Sequence, residues 1–89
     1  MDAMHDADDL LSRMKDVACE VIDDETKRGK FVSLRQGLDS IEDEFFELRV
    51  LAVSAPKQKI NYKKIYMQTI RVAARAVKMM QLAKDKGGF

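Results

Sequence analysis

Leu34-Arg-Gln-Gly-Leu38-Asp-Ser-Ile41-Glu-Asp-Glu-Phe45-Phe-Glu-Leu48-Arg-Val-Leu-Ala52 is the stretch that decides the fold. Its apolar residues at 34, 38, 41, 45, 48 and 52 step by four and three, the period of one helix face, with none of the strict alternation that builds a strand. Phe46, Val50 and Val53 widen the stripe, which predicts contact with more than one neighbouring helix. Just upstream, Ser33 and Gln36 have the spacing of a capping box, whose hydroxyl and amide satisfy backbone N–H groups left open at a helix start. The spacing predicts a helix over 33–54.

The same period extends in both directions. Leu10, Leu11, Met14, Val17, Ala18, Val21 and Ile22 form a stripe with Asp8, Asp9, Asp16 and Glu20 largely off it, predicting a helix over 6–26 with Asp6 as its N-cap. Gly29 supplies its stop. Residues 55–61 read as a connector, because Pro56 disfavours helix before it, and Asn61 caps a third helix over 62–85. That helix carries Ile65, Tyr66, Ile70, Ala73, Ala74, Val77, Met80 and Leu82, and the tail 86–89 is expected to fray. The fold class is all-α, a single domain of three amphipathic helices in an antiparallel bundle. Helices 2 and 3 carry more apolar surface than one small helix covers, so the expected unit is a homodimer or higher homo-oligomer completing a four-helix core.

The charges are segregated. Residues 1–26 hold two basic and nine acidic side chains, residues 27–55 five of each, and residues 56–89 nine basic and one acidic, so the formal charge of +1 is a cancellation of −7 against +8. Either the end segments pair internally or each presents a field to a partner. The single cysteine, Cys19, allows no internal disulfide, and no Cys/His spacing fits zinc. His5 stands without ligand partners, and the methionines read as core or interface filler. No apolar run approaches the roughly 18 residues of a membrane span, and the acidic start is no signal peptide, so a reducing, cytoplasmic setting without a membrane is expected.

The densest chemistry lies at Asp43-Glu44-Phe45-Phe46-Glu47-Leu48. On a helix Glu44 and Glu47 are three residues apart and Asp43 is four from Glu47, so the three carboxylates lie within about one turn and can share a divalent cation, or stand as a solvated acidic face. Together with Glu25-Thr-Lys-Arg-Gly-Lys30 before it and Tyr66-Met-Gln-Thr-Ile-Arg-Val-Ala-Ala-Arg-Ala-Val77 after it, this segment resembles the MazG-like all-α nucleoside triphosphate pyrophosphohydrolases, especially the short single-domain proteins of phages and mobile elements. The resemblance spans roughly residues 20–82. It implies a triphosphate substrate and magnesium held by four carboxylates from two antiparallel helices, with Glu44 and Glu47 as the first pair of metal ligands and Asp43 as a supporting acid. At the second-motif positions Gln68 stands where that family has Glu and Arg71 where it has Asp. With helices 2 and 3 antiparallel, Arg71 is expected to point at Glu44 or Glu47 and replace the metal's charge, leaving no required cofactor. Magnesium is the cofactor only if the ancestral site is retained.

Lys64, Arg71, Arg75 and Lys78 share one face of helix 3, with Lys57, Lys59 and Lys63 beside its start, and Lys27, Arg28 and Lys30 make a smaller cluster. These cations can neutralise nucleotide or nucleic-acid phosphates, with Tyr62 or Tyr66 stacking on a base, or they can pair with the acidic helices. Two function classes follow. One is a nucleotide-binding or catalytically degenerate relative of the pyrophosphohydrolases, its activity uncertain. The other is a helical interaction module of a mobile element, binding a protein or, less favoured, nucleic acid through segregated charges.

Overall fold

A computed structural model describes residues 3–54, 56 and 59–89, with side chains from residue 6 onward. Among them the chain forms α1 (Ala3–Arg28), α2 (Leu34–Arg49) continued by a π-helical turn (Val50–Ser54), and α3 (Tyr62–Gly87), and no strand. The fold is all-α. Among the described residues no helix is long and apolar enough to cross a membrane.

The local signals at the helix ends work as their chemistry dictates. Ser33 Oγ accepts the Gln36 N–H at 3.1 Å, while Gln36 Oε1 accepts the Val32 N–H at 2.7 Å, one residue further out than a standard capping box reaches. Asn61 Oδ1 accepts the Lys64 N–H at 3.0 Å and starts α3. Gly29, at φ 78°, turns the chain out of α1 while its N–H closes on the Glu25 carbonyl at 2.8 Å. Asp6 falls inside the first turn of α1 instead of capping it, because the helix starts earlier, at Ala3. At the other end α3 continues to Gly87 and is closed by Gly88 in the left-handed conformation, so residues 86 and 87 are helical where a frayed tail was expected. The side chain of His5 and all of Lys57 lie outside the described residues.

The three helices form a single flat layer with α3 in the middle. Asp16 meets Tyr66 and Asp24 meets Lys78, so α1 runs parallel to α3. Glu44 meets Gln68, and a Cβ on Gly37 would stand 2.8 Å from Met79 Cε, so α2 runs antiparallel to α3 at close range. Although consecutive in sequence, α1 and α2 do not pack on each other among the described residues. Each instead brings one acid to the cationic side of α3. The layer measures 45 × 36 × 20 Å, and its radius of gyration of 15.1 Å exceeds the roughly 12 Å of a compact chain of this length.

The core is correspondingly thin. Val21, Phe31, Ala74 and Leu82 are the buried apolar side chains among the described residues, while Leu10, Leu11, Met14 and Ile22 of the predicted α1 stripe and Leu34, Leu38 and Phe45 of the α2 stripe stay exposed. Besides Gly37, what else is buried among the described residues is charged or polar: Asp24, Gln68, Arg75 and Lys78.

Candidate functional site

Of the carboxylate cluster of α2, Glu44 faces α3, where it meets Gln68 of the predicted second motif. Gln68 Nε2 donates to Glu44 Oε2 at 2.7 Å and to the Glu44 carbonyl at 2.8 Å, so Gln68 stands opposite Glu44 as antiparallel packing requires. The guanidinium on Glu44 is that of Arg75, whose Nη2 lies 3.4 Å from Glu44 Oε1, and not that of Arg71. Helix geometry explains this correction. Arg75 is seven residues beyond Gln68, two turns along and only about 20° around, whereas Arg71 at three residues is turned about 60° away toward solvent. Arg71 is exposed.

Arg75 also joins the carboxylate of α2 to α1. Its Nη2 lies 3.2 Å from Asp24 Oδ1 as an ion pair, and Asp24 accepts hydrogen bonds from Lys78 Nζ at 2.5 Å and from Arg28. Lys78 Nζ donates further to the Gly29 carbonyl at 2.9 Å and sits 4.3 Å above the centre of the Phe31 ring, a cation–π contact. Asp24, Arg75 and Lys78 are each at most 4% exposed, so this is a buried network. One of its donors, Arg75 Nη1, is buried without a partner among the described residues. Burial by itself would raise the Asp24 pKa, but the hydrogen bonds from Lys78 and Arg28 and the charge of Arg75 outweigh it and hold the carboxyl below the usual aspartate value.

The basic stripe of helix 3 therefore divides. Arg75 and Lys78 pair inward with the acids of α1 and α2, whereas Lys64 and Arg71 remain exposed. In the smaller cluster, Lys27 pairs with Asp23 and Arg28 with Asp24 along α1, and Lys30 is exposed. Sequence analysis did not single out Asp24. Its signal was its place on the α1 stripe, three residues after Val21 and seven after Val17.

The residues present do not suit a magnesium ion. Asp43 and Glu47 are exposed and enter no ion pair, and no three His, Cys, Asp or Glu side chains converge as metal ligands among the described residues. Magnesium wants an oxygen-rich shell with carboxylate charge. Here both oxygens of Glu44 are engaged by Gln68 and Arg75.

On the open side of α3, Met67 separates two clefts. One, of about 520 Å³, lies between the end of α2 and the start of α3 and is lined by Lys63, Lys64 and Arg71 with Leu51, Asn61 and Gln68. The other, of about 480 Å³, lies between α1 and α3 and is lined by Asp16, Glu20 and Asp23 with Cys19, Tyr66 and Ile70. Tyr66 donates its hydroxyl to Asp16, which raises the phenol pKa, and its ring stacks 5.4 Å from the Arg13 guanidinium. A cationic pocket and an acceptor-rich pocket thus lie side by side on one surface. Against family models, curated proteins and solved structures the chain finds no match, so the site rests on this geometry.

Proposed function

We propose that this chain is a metal-independent nucleotide-binding protein, a degenerate relative of the short MazG-like pyrophosphohydrolases of phages and mobile elements. The observation that carries the proposal is the engagement of Glu44 by Gln68 and Arg75, the place where the resemblance puts a metal, beside a cleft whose three cations face no acid across it. Phosphates of a nucleoside triphosphate are received by Lys63, Lys64 and Arg71. Sugar hydroxyls and base amino groups lie over Met67 toward the carboxylates of α1. The guanidinium of Arg75 supplies the positive charge that a metal would bring, but no activated water, so binding outlives hydrolysis.

Nucleic-acid binding is the weaker reading, since Arg75 and Lys78 are spent internally. The working unit is a homo-oligomer in a reducing, cytoplasmic setting, which accommodates an exposed thiol at Cys19.

Titration calorimetry with ribo- and deoxynucleoside triphosphates in EDTA tests the reading. Binding is expected without magnesium, weakened at least tenfold in Lys64→Ala/Arg71→Ala, and without pyrophosphate release when magnesium is added. In Gln68→Glu/Arg71→Asp, two carboxylates face each other and a magnesium-dependent rise in melting temperature is expected to appear. Magnesium-dependent turnover by the wild type, or no nucleotide binding even at low salt, would overturn the proposal.

A further inference from the structure

The α1 wall of the acceptor-rich cleft carries three carboxylates, and two of them are engaged. Asp16 accepts the Tyr66 hydroxyl and lies 3.8 Å from the Arg13 guanidinium, and Asp23 is paired with Lys27 at 3.0 Å. Glu20, about one turn from each along α1, is half-buried, and its carboxylate has no ion pair or hydrogen bond among the described residues. Tyr66, Met67 and Ile70 of α3 form the apolar side of the same cleft. A free acceptor thus stands over an apolar bed, across Met67 from the cations Lys64 and Arg71.

What such a carboxylate can hold is set by its chemistry. It accepts only, through two oxygens side by side, so it suits a planar edge that offers two adjacent donors, as it suits a guanidinium fork. Among the common nucleobases guanine alone has that edge, a ring N–H beside its exocyclic amino group. Adenine and cytosine set a ring-nitrogen acceptor beside their amino group, and uracil and thymine flank their ring N–H with carbonyl oxygens, whose lone pairs a carboxylate repels. We infer that Glu20 is the specificity residue of the nucleotide site and selects guanine, its two oxygens receiving the ring N–H and the amino group while the purine ring lies on Met67. The thioether suits that contact, since sulfur packs favourably against aromatic rings. Crossing Met67 from one cleft to the other spans about 10 Å, the width of a helix with its side chains, and the ribose bridges it while the phosphates rest on Lys64 and Arg71. The inference deepens the nucleotide-binding reading and rests on it.

Calorimetry in EDTA with GTP, ITP, UTP, XTP and base-free tripolyphosphate is the test. GTP is expected to bind about a hundredfold tighter than UTP and about tenfold tighter than ITP, which keeps the ring N–H and lacks the amino group. Glu20→Gln presents one acceptor beside one donor, the match of xanthine, which has a carbonyl where guanine has the amino group. That variant is expected to bind GTP no better than UTP and to prefer XTP to GTP by about tenfold, a reversal that a loss of structure does not produce. Cys19 is exposed and lines the same cleft, so its alkylation by iodoacetamide is expected to slow about tenfold when GTP stands about ten times above its Kd. Tripolyphosphate reads the cationic cleft by itself. Tripolyphosphate binding with equal affinities for GTP and UTP, a guanine preference that survives Glu20→Gln, or alkylation that GTP leaves unslowed would overturn the inference and leave the nucleotide-binding reading standing. Failure of every triphosphate and of tripolyphosphate to bind would overturn both.

Discussion

Asp24→Ala is expected to lower the melting temperature by some 15 °C or more. The carboxylate is 1% exposed and pairs with Arg28, Arg75 and Lys78. Removing it strands Lys78 in the interior and leaves Arg75 with Glu44 alone, at a cost of about 3–5 kcal/mol. The whole stability of an 89-residue chain is only about 5–13 kcal/mol, and one kcal/mol moves the midpoint by about 4–8 °C at this size. The triple variant Asp24→Leu/Arg75→Leu/Lys78→Met is expected to recover most of the loss, because replacing a whole buried ion cluster by apolar side chains removes its desolvation cost along with its attraction. Calorimetric scans of the two variants check both statements. A triple variant as unstable as Asp24→Ala would mean that the network contributes more than the absence of stranded charge.

Acid is expected to act through the same residue. The native pKa of Asp24 lies below its unfolded value near 3.8, so its contribution is complete above about pH 4 and is lost as pH falls through the depressed native value. Protonation leaves Lys78 charged and buried without a counter-ion and Arg75 with Glu44 alone. The urea midpoint is expected to hold between pH 7 and about 4 and then to fall, whereas Asp24→Asn, already weakened, should show a much shallower fall. Equal slopes for the two proteins below pH 4 would move the acid sensitivity to other carboxylates.

The helices were legible because their signals are local. Four-three spacing, a serine three residues before a glutamine, an asparagine cap and a glycine stop each act within one or two turns. The register of α2 on α3 was legible only in part: Gln68, one of the two predicted second-motif positions, meets Glu44, while Arg71, the residue expected there, does not. The choice between Arg71 and Arg75 was not legible, for both lie on the same basic stripe and only the twist of α3 against α2 decides which guanidinium turns inward. Asp24 was hidden for another reason. It sits in the run Asp23-Asp24-Glu25, where composition marks an acidic helix end and does not say which carboxylate faces the core. The separation of −7 from +8 left open either a field toward a partner or an internal pairing. The centre of that pairing is a single aspartate and three cations, two of them from the basic third and one, Arg28, from α1 itself.

The surroundings of Lys78 have a practical consequence. Its ammonium is held by a carboxylate, a carbonyl and an aromatic ring, while every other lysine whose side chain is described is exposed. An acylating reagent therefore modifies those exposed amines from the native protein and reaches Lys78 only in molecules that have come apart. Peptide mapping of acylation at this one nitrogen, against the rate at Lys64, reads the opening equilibrium of the whole assembly, with no spectroscopic probe installed. Protection of about a thousandfold or more is the value that a stability near 5 kcal/mol implies.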